Sequence, residues 1–180
     1  VADIVRAQRD MDRSYGHMKD IDPTAALGDA LNIMGDSLAK RGIRVTQDME
    51  AAPPLFRTQE SMFVQMAVNL LKNAIEATDE RQGDGASEID VRIVGDGTRL
   101  VFEVSDNGVG IAPDLVQDIY RAGYTTKVEG TGMGLYSVRD FARACGGDVE
   151  ITSEGLGRGA TVRVVLPFLT RGQQGQEVRS

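Results

Sequence analysis

The sequence predicts an α+β fold: a two-layer α/β sandwich with one mixed, mostly antiparallel sheet and its helices on one face. Three observations carry that expectation. Between 58 and 80 the residues Met62, Met66, Leu70, Ala74 and Ala77 recur at helical spacing. Ile89, Val91 and Ile93 alternate with polar positions, Gly95-Asp96-Gly97 turns the chain, and Leu100, Phe102 and Val104 alternate back. A second pair of strands is expected near 147–153 and 160–166, joined by Gly155-Leu156-Gly157-Arg158-Gly159.

The remaining elements follow in order. Residues 1–20 are polar, with Ile4, Val5, Met11 and Met18 as sparse apolar points, and read as the end of a helix that packs on something else. Asp22-Pro23-Thr24 is a helix start. Ala26, Leu27, Ala30, Leu31, Met34 and Leu38 keep the helical period, and Gly42 after Arg41 ends it. Ile43 and Val45 open a short strand, and Pro53-Pro54 is a connector. Thr58 is placed to cap the long helix. A short helix is expected from Pro113 to about Tyr120. A mobile loop then spans 121–131, followed by a helix from about Gly132 to Ala144. Residues 170–180 read as a disordered tail.

At 180 residues with 41% apolar content, the chain suits one domain with a sizeable core. Aromatics are scarce, so aliphatic side chains are expected to fill it. A net charge of -7 argues against a nucleic-acid binder. The one cysteine, Cys145, permits no internal disulfide, fits a reducing cytoplasm, and reads as a buried small residue. No apolar run approaches the ~20 residues of a membrane span. Val1 falls inside a charged helical pattern, which reads as a fragment of a longer protein.

Chemistry concentrates in an asparagine pair and the glycine segments that follow it. Asn69 and Asn73 are four apart and share one helix face. Neutral amides beside an apolar stripe offer carbonyl oxygens without loading the core with charge. Mg²⁺ takes few protein ligands and completes its octahedron with phosphate oxygens and water. Asp106 ends a strand and opens Asn107-Gly108-Val109-Gly110. A carboxylate there can accept from the exocyclic amine of adenine, where guanine presents an acceptor. Gly108 and Gly110 let backbone pass close to the ring. Gly130, Gly132 and Gly134, followed by Leu135, run into a helix whose free N–H groups favour phosphate. Arg121 and Lys127 flank the loop before it. Taken singly, each motif is also compatible with a plain helix, an ordinary Asp-Asn-Gly turn or a flexible loop. The glycine series is neither a dinucleotide fingerprint nor a P-loop.

The series resembles the catalytic ATP-binding domain of bacterial sensor histidine kinases, in the Bergerat-fold superfamily shared with gyrase, chaperone and mismatch-repair ATPases. Residues 60–80 are similar to its N box and 104–111 to its first glycine box. Residues 119–127 are similar to its Phe-Thr-Thr-Lys lid, with Tyr124 replacing Phe, and 130–135 to its second glycine box. Gly157 to Pro167 is similar to its closing strand. The resemblance spans Asp22 to Phe168. It implies ATP and Mg²⁺ as cofactors, with Asn73 the metal-ligating amide and Asn69 alongside it near the phosphates. Asp106 would select adenine, with Thr161 supporting that pocket. Gly108, Gly110, Gly130, Gly132, Gly134 and Leu135 would shape pocket and lid. Arg121 and Lys127 would be lid cations, and Asn69, Asn73 and Lys127 the catalytic set.

Two departures sharpen the expectation. Hydrolytic relatives carry Glu where Asn69 stands, so the base for an attacking water is missing. His17, the only histidine, is followed by Met18, with Pro23 six positions on, unlike the family's acceptor box. The acceptor histidine is therefore expected outside this chain. Residues 1–21 would end a dimerisation and phosphotransfer helix, 22–169 would be the catalytic domain, and 170–180 the tail. Expected partners are ATP, the dimerisation domain of a homodimeric parent, and a response regulator receiver domain. The fragment itself would be monomeric and cytoplasmic, with membrane anchoring of the parent open. Alternatives are a degenerate nucleotide-binding module and an anti-sigma-type serine kinase of the same fold.

Overall fold

The computed structural model describes residues 18–81, 85–113, 115 and 133–168. The elements are β1 (Lys19–Ile21), α1 (Pro23–Arg41), β2 (Arg44–Asp48), β3 (Phe56–Thr58), α2 (Glu60–Asp79), β4 (Glu88–Gly95), β5 (Arg99–Asp106), α3 (Gly134–Ala144), β6 (Asp148–Thr152) and β7 (Ala160–Pro167). Five strands form one sheet in the order β2-β4-β5-β7-β6, and β1 pairs with β3 separately. Only β2 runs parallel to its neighbour in the larger sheet, and the other pairs are antiparallel. The mixed two-layer α+β architecture is the one the sequence predicts.

Local signals explain the helix boundaries. The Asp22 carboxylate accepts from the Thr24 amide at 2.8 Å and the Ala25 amide at 3.3 Å, and Pro23 follows at the first helical position. Gly42 closes α1 with φ 61°, returning its N–H to Leu38 and Ala39, while Lys40 and Arg41 sit in the negative last turn. The start of α2 differs from expectation. Thr58 does not cap it: it is the last residue of β3 and fully buried, and Gln59 takes the cap position through its backbone. Pairing with β1 holds Thr58 extended (Lys19 opposite Thr58), which aims its side chain at the core. By the same pairing, Lys19–Ile21 is a strand, although the sequence reads as a helix end there. The last helix begins at Gly134, two residues later than expected.

Strand alternation decides the layers. Ile89, Val91, Ile93, Leu100, Phe102, Val104, Val164 and Leu166 are buried on one face. There α2 packs on β5, α3 on β6 and β7, and α1 on α2. Across the open face the register aligns Asp48, Arg92, Glu103, Arg163 and Glu150 in one row of alternating charge. Opposite charges on adjacent strands favour that register, and Arg92 meets Asp48 at 3.0 Å. Aliphatic side chains fill most of the core, as expected, and the few aromatic ones sit at its centre. Phe63 of α2 meets Phe102 of β5 edge-on at 5.9 Å, and Phe56 bridges Phe63 and Phe168. Cys145 is half-buried, and burial pushes its thiol up, so it behaves as a packing residue.

The expected helix beyond Leu115, the 121–131 loop, the tail and His17 lie outside the described residues.

Two outcomes follow from this packing. Phe63→Ala removes the ring that seats α2 on the sheet and should cost about 3–5 kcal/mol, measured by denaturant unfolding. In the β4–β5 turn, Asp96 accepts from the Thr98 hydroxyl and from the Thr98 and Arg99 amides, which holds its carboxyl far below the usual range. Its folded-state pKa is depressed, so its stabilisation is present above the ordinary aspartate pKa and is lost as pH falls. Asp96→Ala should lower the melting temperature by a few degrees at pH 7, and the difference should shrink on acidification.

Candidate nucleotide site

The site begins with the position of α2. Phe63, Met66, Leu70, Leu71, Ala74 and Ile75 are buried, so the helix cannot rotate without exposing them. That leaves Asn69 and Asn73 half-buried on the flank that meets the start of α3. The two amides are engaged differently. Asn69 accepts from Gln65 Nε2 at 3.0 Å through Oδ1 and donates through Nδ2 to the Gly134 carbonyl at 3.4 Å. It therefore ties α2 to the first residue of α3. Among the described residues no hydrogen bond claims the Asn73 amide. Its Oδ1 lies 3.7 Å from where a Gly134 side chain would begin. A carbonyl oxygen left free beside an open backbone position suits a cation that brings most of its own ligands. No cluster of three His, Cys, Asp or Glu occurs among the described residues, so carboxylates there offer no competing cage.

One helical turn past Asn73 the helix meets the turn after β5. The Val109 amide donates to the Ala77 carbonyl at 3.0 Å. A side chain on Gly108 would overlap that same carbonyl. One on Gly110, held at φ 68°, would overlap the Gly155 carbonyl. The Asp106 carboxylate accepts from the Gly108 amide at 2.8 Å. Burial pushes Asp106 above the usual aspartate range, while the Gly108 and Ala160 amides pull the other way. Asn107 faces away and staples β4: its Oδ1 accepts from Glu88 N at 3.0 Å and its Nδ2 donates to Ala86 O at 2.8 Å.

The turn is also gripped from β6 and β7. Gly157 N donates to Val109 O at 2.6 Å, and Gly159 N to Gly108 O at 3.1 Å. Ser153 Oγ accepts from Ile111 N at 3.0 Å and donates to Gly159 O at 2.6 Å. A hollow of about 500 Å³ opens beside Asp106, lined also by Ser153, Glu154, Arg158, Gly159 and Thr161.

Among the expected site residues, the structure draws Asn69, Asn73 and Gly134 together, and Asp106 with Gly108 and Gly110. Leu135 is half-buried and packs against the core. Thr161 is misplaced by the sequence reading. It pairs with Ser105 and bonds its hydroxyl at 2.8 Å, on the sheet face opposite the Asp106 side chain. Ala160 is the residue opposite Asp106, because side chains alternate along β7. Arg121, Lys127, Gly130 and Gly132 lie outside the described residues. Sequence reasoning missed Gln65, Ala77 and Ser153. Their roles come from backbone and side-chain contacts across 4 to 42 positions, and only the serine after a strand and before a glycine turn left a local sign.

Comparison with known proteins agrees with this geometry. Residues 58–170 match the family described as histidine kinase-, DNA gyrase B- and HSP90-like ATPase. The sensor histidine kinase ZraS of Salmonella typhimurium is 32% identical over 145 residues, covering 80% of this chain and 30% of that protein. The sensory histidine kinase/phosphatase NtrB of Rhizobium meliloti is 35% identical over 140 residues, covering 71% of this chain and 36% of that protein. The chain thus spans about a third of the length of these relatives. Among solved structures, full-length ShkA in complex with AMPPNP aligns with TM-score 0.72 at 28% identity, covering 85% of this chain and 31% of that one. The catalytic domain of histidine kinase ThkA shares the fold at TM-score 0.74 and 19% identity, covering 85% of this chain and 99% of that one. With more than half its length matched by the family model and sensor histidine kinases among its relatives, the chain belongs to the histidine kinase-, DNA gyrase B- and HSP90-like ATPases, on the side of the sensor histidine kinase catalytic domains.

Proposed function

We propose that this chain binds Mg-ATP and delivers the γ-phosphoryl group to a histidine of a helical dimerisation domain, from which a response regulator aspartate takes it. The observation that carries the reading is the pairing, on one helix, of an unclaimed Asn73 amide with a half-buried Asp106 turn docked one helical turn further on. The base is proposed to lie at the Asp106 end and the phosphates toward Asn73 and Gly134.

In this reading the Asp106 carboxylate accepts from the adenine amine, and the Gly108 amide keeps the carboxylate aimed. Asn73 Oδ1 would hold Mg²⁺, which would offset the phosphate charge. Asn69 holds the Gly134 carbonyl, which orients the uncapped N-terminus of α3 toward the phosphates. The bond from the γ-phosphorus to the bridging oxygen breaks, a bond to an imidazole nitrogen forms, ADP leaves, and the imidazole loses a proton. Positioning and charge stabilisation suffice for such a transfer. An amide at Asn69, already bonded to Gln65, has no capacity to take a proton from water, which supports transfer over hydrolysis. Arg121, Lys127, Gly130 and Gly132 complete the proposal as lid residues.

The proposed boundaries are a dimerisation-helix end in residues 1–21, a catalytic domain over 22–169 and a tail over 170–180. The fragment is proposed to be monomeric and its parent a dimer. No helix among the described residues is long and apolar enough to cross a membrane. ATP and a receiver domain as partners put the proposed work in the cytoplasm, wherever the parent is anchored.

Calorimetric titration with a non-hydrolysable ATP analogue, with and without Mg²⁺ and against its guanine counterpart, tests the reading. Adenine-selective, Mg-sensitive binding is expected, and no binding to folded protein would sink it. Binding without phosphotransfer to a supplied acceptor domain would instead indicate a regulatory module.

Asn73→Ala should weaken binding about tenfold or more with Mg²⁺ present and far less without it, while the melting temperature stays within a few degrees. Asp106→Asn should cost about tenfold in adenine affinity and narrow the preference over guanine. Because burial raises the Asp106 pKa, wild-type binding should fall on acidification from a pH above the ordinary aspartate range. The variant should lack that limb. A raised folded-state pKa means stability present at low pH and lost as the carboxyl ionises. Asp106→Asn should therefore melt no lower than wild type at pH 7.

A further inference from the structure

Among the described residues, Ser153 is the side chain whose hydrogen bonds join the turn after β5 to the turn between β6 and β7. Its Oγ accepts from the Ile111 amide at 3.0 Å and donates to the Gly159 carbonyl at 2.6 Å. Those two partners sit at opposite ends of the same backbone arch. Gly159 N in turn bonds Gly108 O, and Gly157 N bonds Val109 O. Every residue from Gly108 to Ile111 except Gly110 is thus bonded across to the β6–β7 turn, and Gly110 is pressed against the Gly155 carbonyl. The hydroxyl is half-buried and lines the hollow beside Asp106. A hydroxyl is the smallest group that can accept and donate at once, so neither alanine nor a bulky residue reproduces the joint.

We infer that Ser153 is a positioning residue for base recognition: it locks the Gly108–Ile111 turn onto the β6–β7 turn and so holds the Asp106 carboxylate at the angle adenine requires. This rests on the nucleotide site proposed above. Ser153 borders the hollow but bonds neither Asp106 nor Asn73. Its loss leaves the Ile111 amide and the Gly159 carbonyl without their partner, and the turn carrying the Gly108–Asp106 bond loosens. Asn73, one helical turn upstream of Ala77, and Gly134, at the start of α3, share no bond with Ser153 or its partners and should be unaffected, which gives the inference a distinctive signature. The base end of the ligand should feel the change and the phosphate end should not.

The test titrates wild type, Ser153→Ala and Ser153→Thr with adenosine, a non-hydrolysable ATP analogue and its guanine counterpart. Ser153→Ala should lose about tenfold in affinity for adenosine and for the ATP analogue alike, the scale of one buried hydrogen-bonded group left unmade. The ratio between those two affinities should stay constant, and guanine binding should change little, so that base preference narrows. Ser153→Thr, which keeps the hydroxyl, should recover most of the loss. Wild-type affinities in Ser153→Ala would overturn the role of Ser153 and leave the nucleotide site standing. Absence of adenine preference in wild type would overturn both. Should Ser153→Ala fail to fold, amide exchange on wild type decides instead. The Ile111 N–H should exchange slowly in nucleotide-free protein and more slowly with adenosine, and rapid exchange in both states would overturn the inference.

Discussion

One backbone hydrogen bond, from the Val109 amide to the Ala77 carbonyl, sets the geometry of the site. It docks the turn after β5 on the last turns of α2. Asn73 lies one helical turn upstream of Ala77, so the separation between it and the Asp106 turn is set by helix pitch, about 6 Å along the axis. Gly108 is the condition for this contact, since a side chain there would occupy the space of the Ala77 carbonyl. The contact in turn depends on α2 being seated, which Phe63 against Phe102 and the buried face from Met66 to Ile75 achieve. Core packing and site geometry are therefore one problem in this protein, with α2 common to both.

The two asparagines divide their work. A lone amide near phosphate is easily turned aside by neighbouring donors and acceptors. Here Asn69 takes the local partners, Gln65 and the Gly134 carbonyl, and Asn73 is left without one among the described residues. An amide engaged on both its oxygen and its nitrogen is structural, while one engaged on neither is available. Around Asp106 the logic is the reverse. The carboxylate is half-buried, which favours its neutral form, and the Gly108 amide offsets that cost for the ionised form. A carboxylate balanced in this way keeps an aimed acceptor at the edge of the hollow.

Much of the fold was legible in the chain because its signals act over a few residues. Asp22-Pro23 and Gly42 bound α1, and the alternation of Ile89 to Ile93 and Leu100 to Val104 announced a hairpin. The glycine series around Asp106 was legible for the same reason. Thr58 misled because a residue with cap chemistry was recruited by pairing with β1, a contact across 39 positions. Thr161 misled because alternation along β7 decides which neighbour faces the carboxylate, and the register against β5 selects Ala160. The phenylalanines were discounted for their number, yet their position between α2 and the sheet gives them more weight than a count suggests.

By itself the sequence determined the ends of α1, the turn positions, the layer class and the order of the chemical groups, since each follows from period, backbone permissiveness and side-chain type within a short window. Tertiary structure alone decided which asparagine is occupied, which face Thr161 takes, and that Ser153 closes the arch over Asp106. Those outcomes depend on strand register and helix seating. The groups concerned are distant in the chain, and no local energy term connects them until the core has formed.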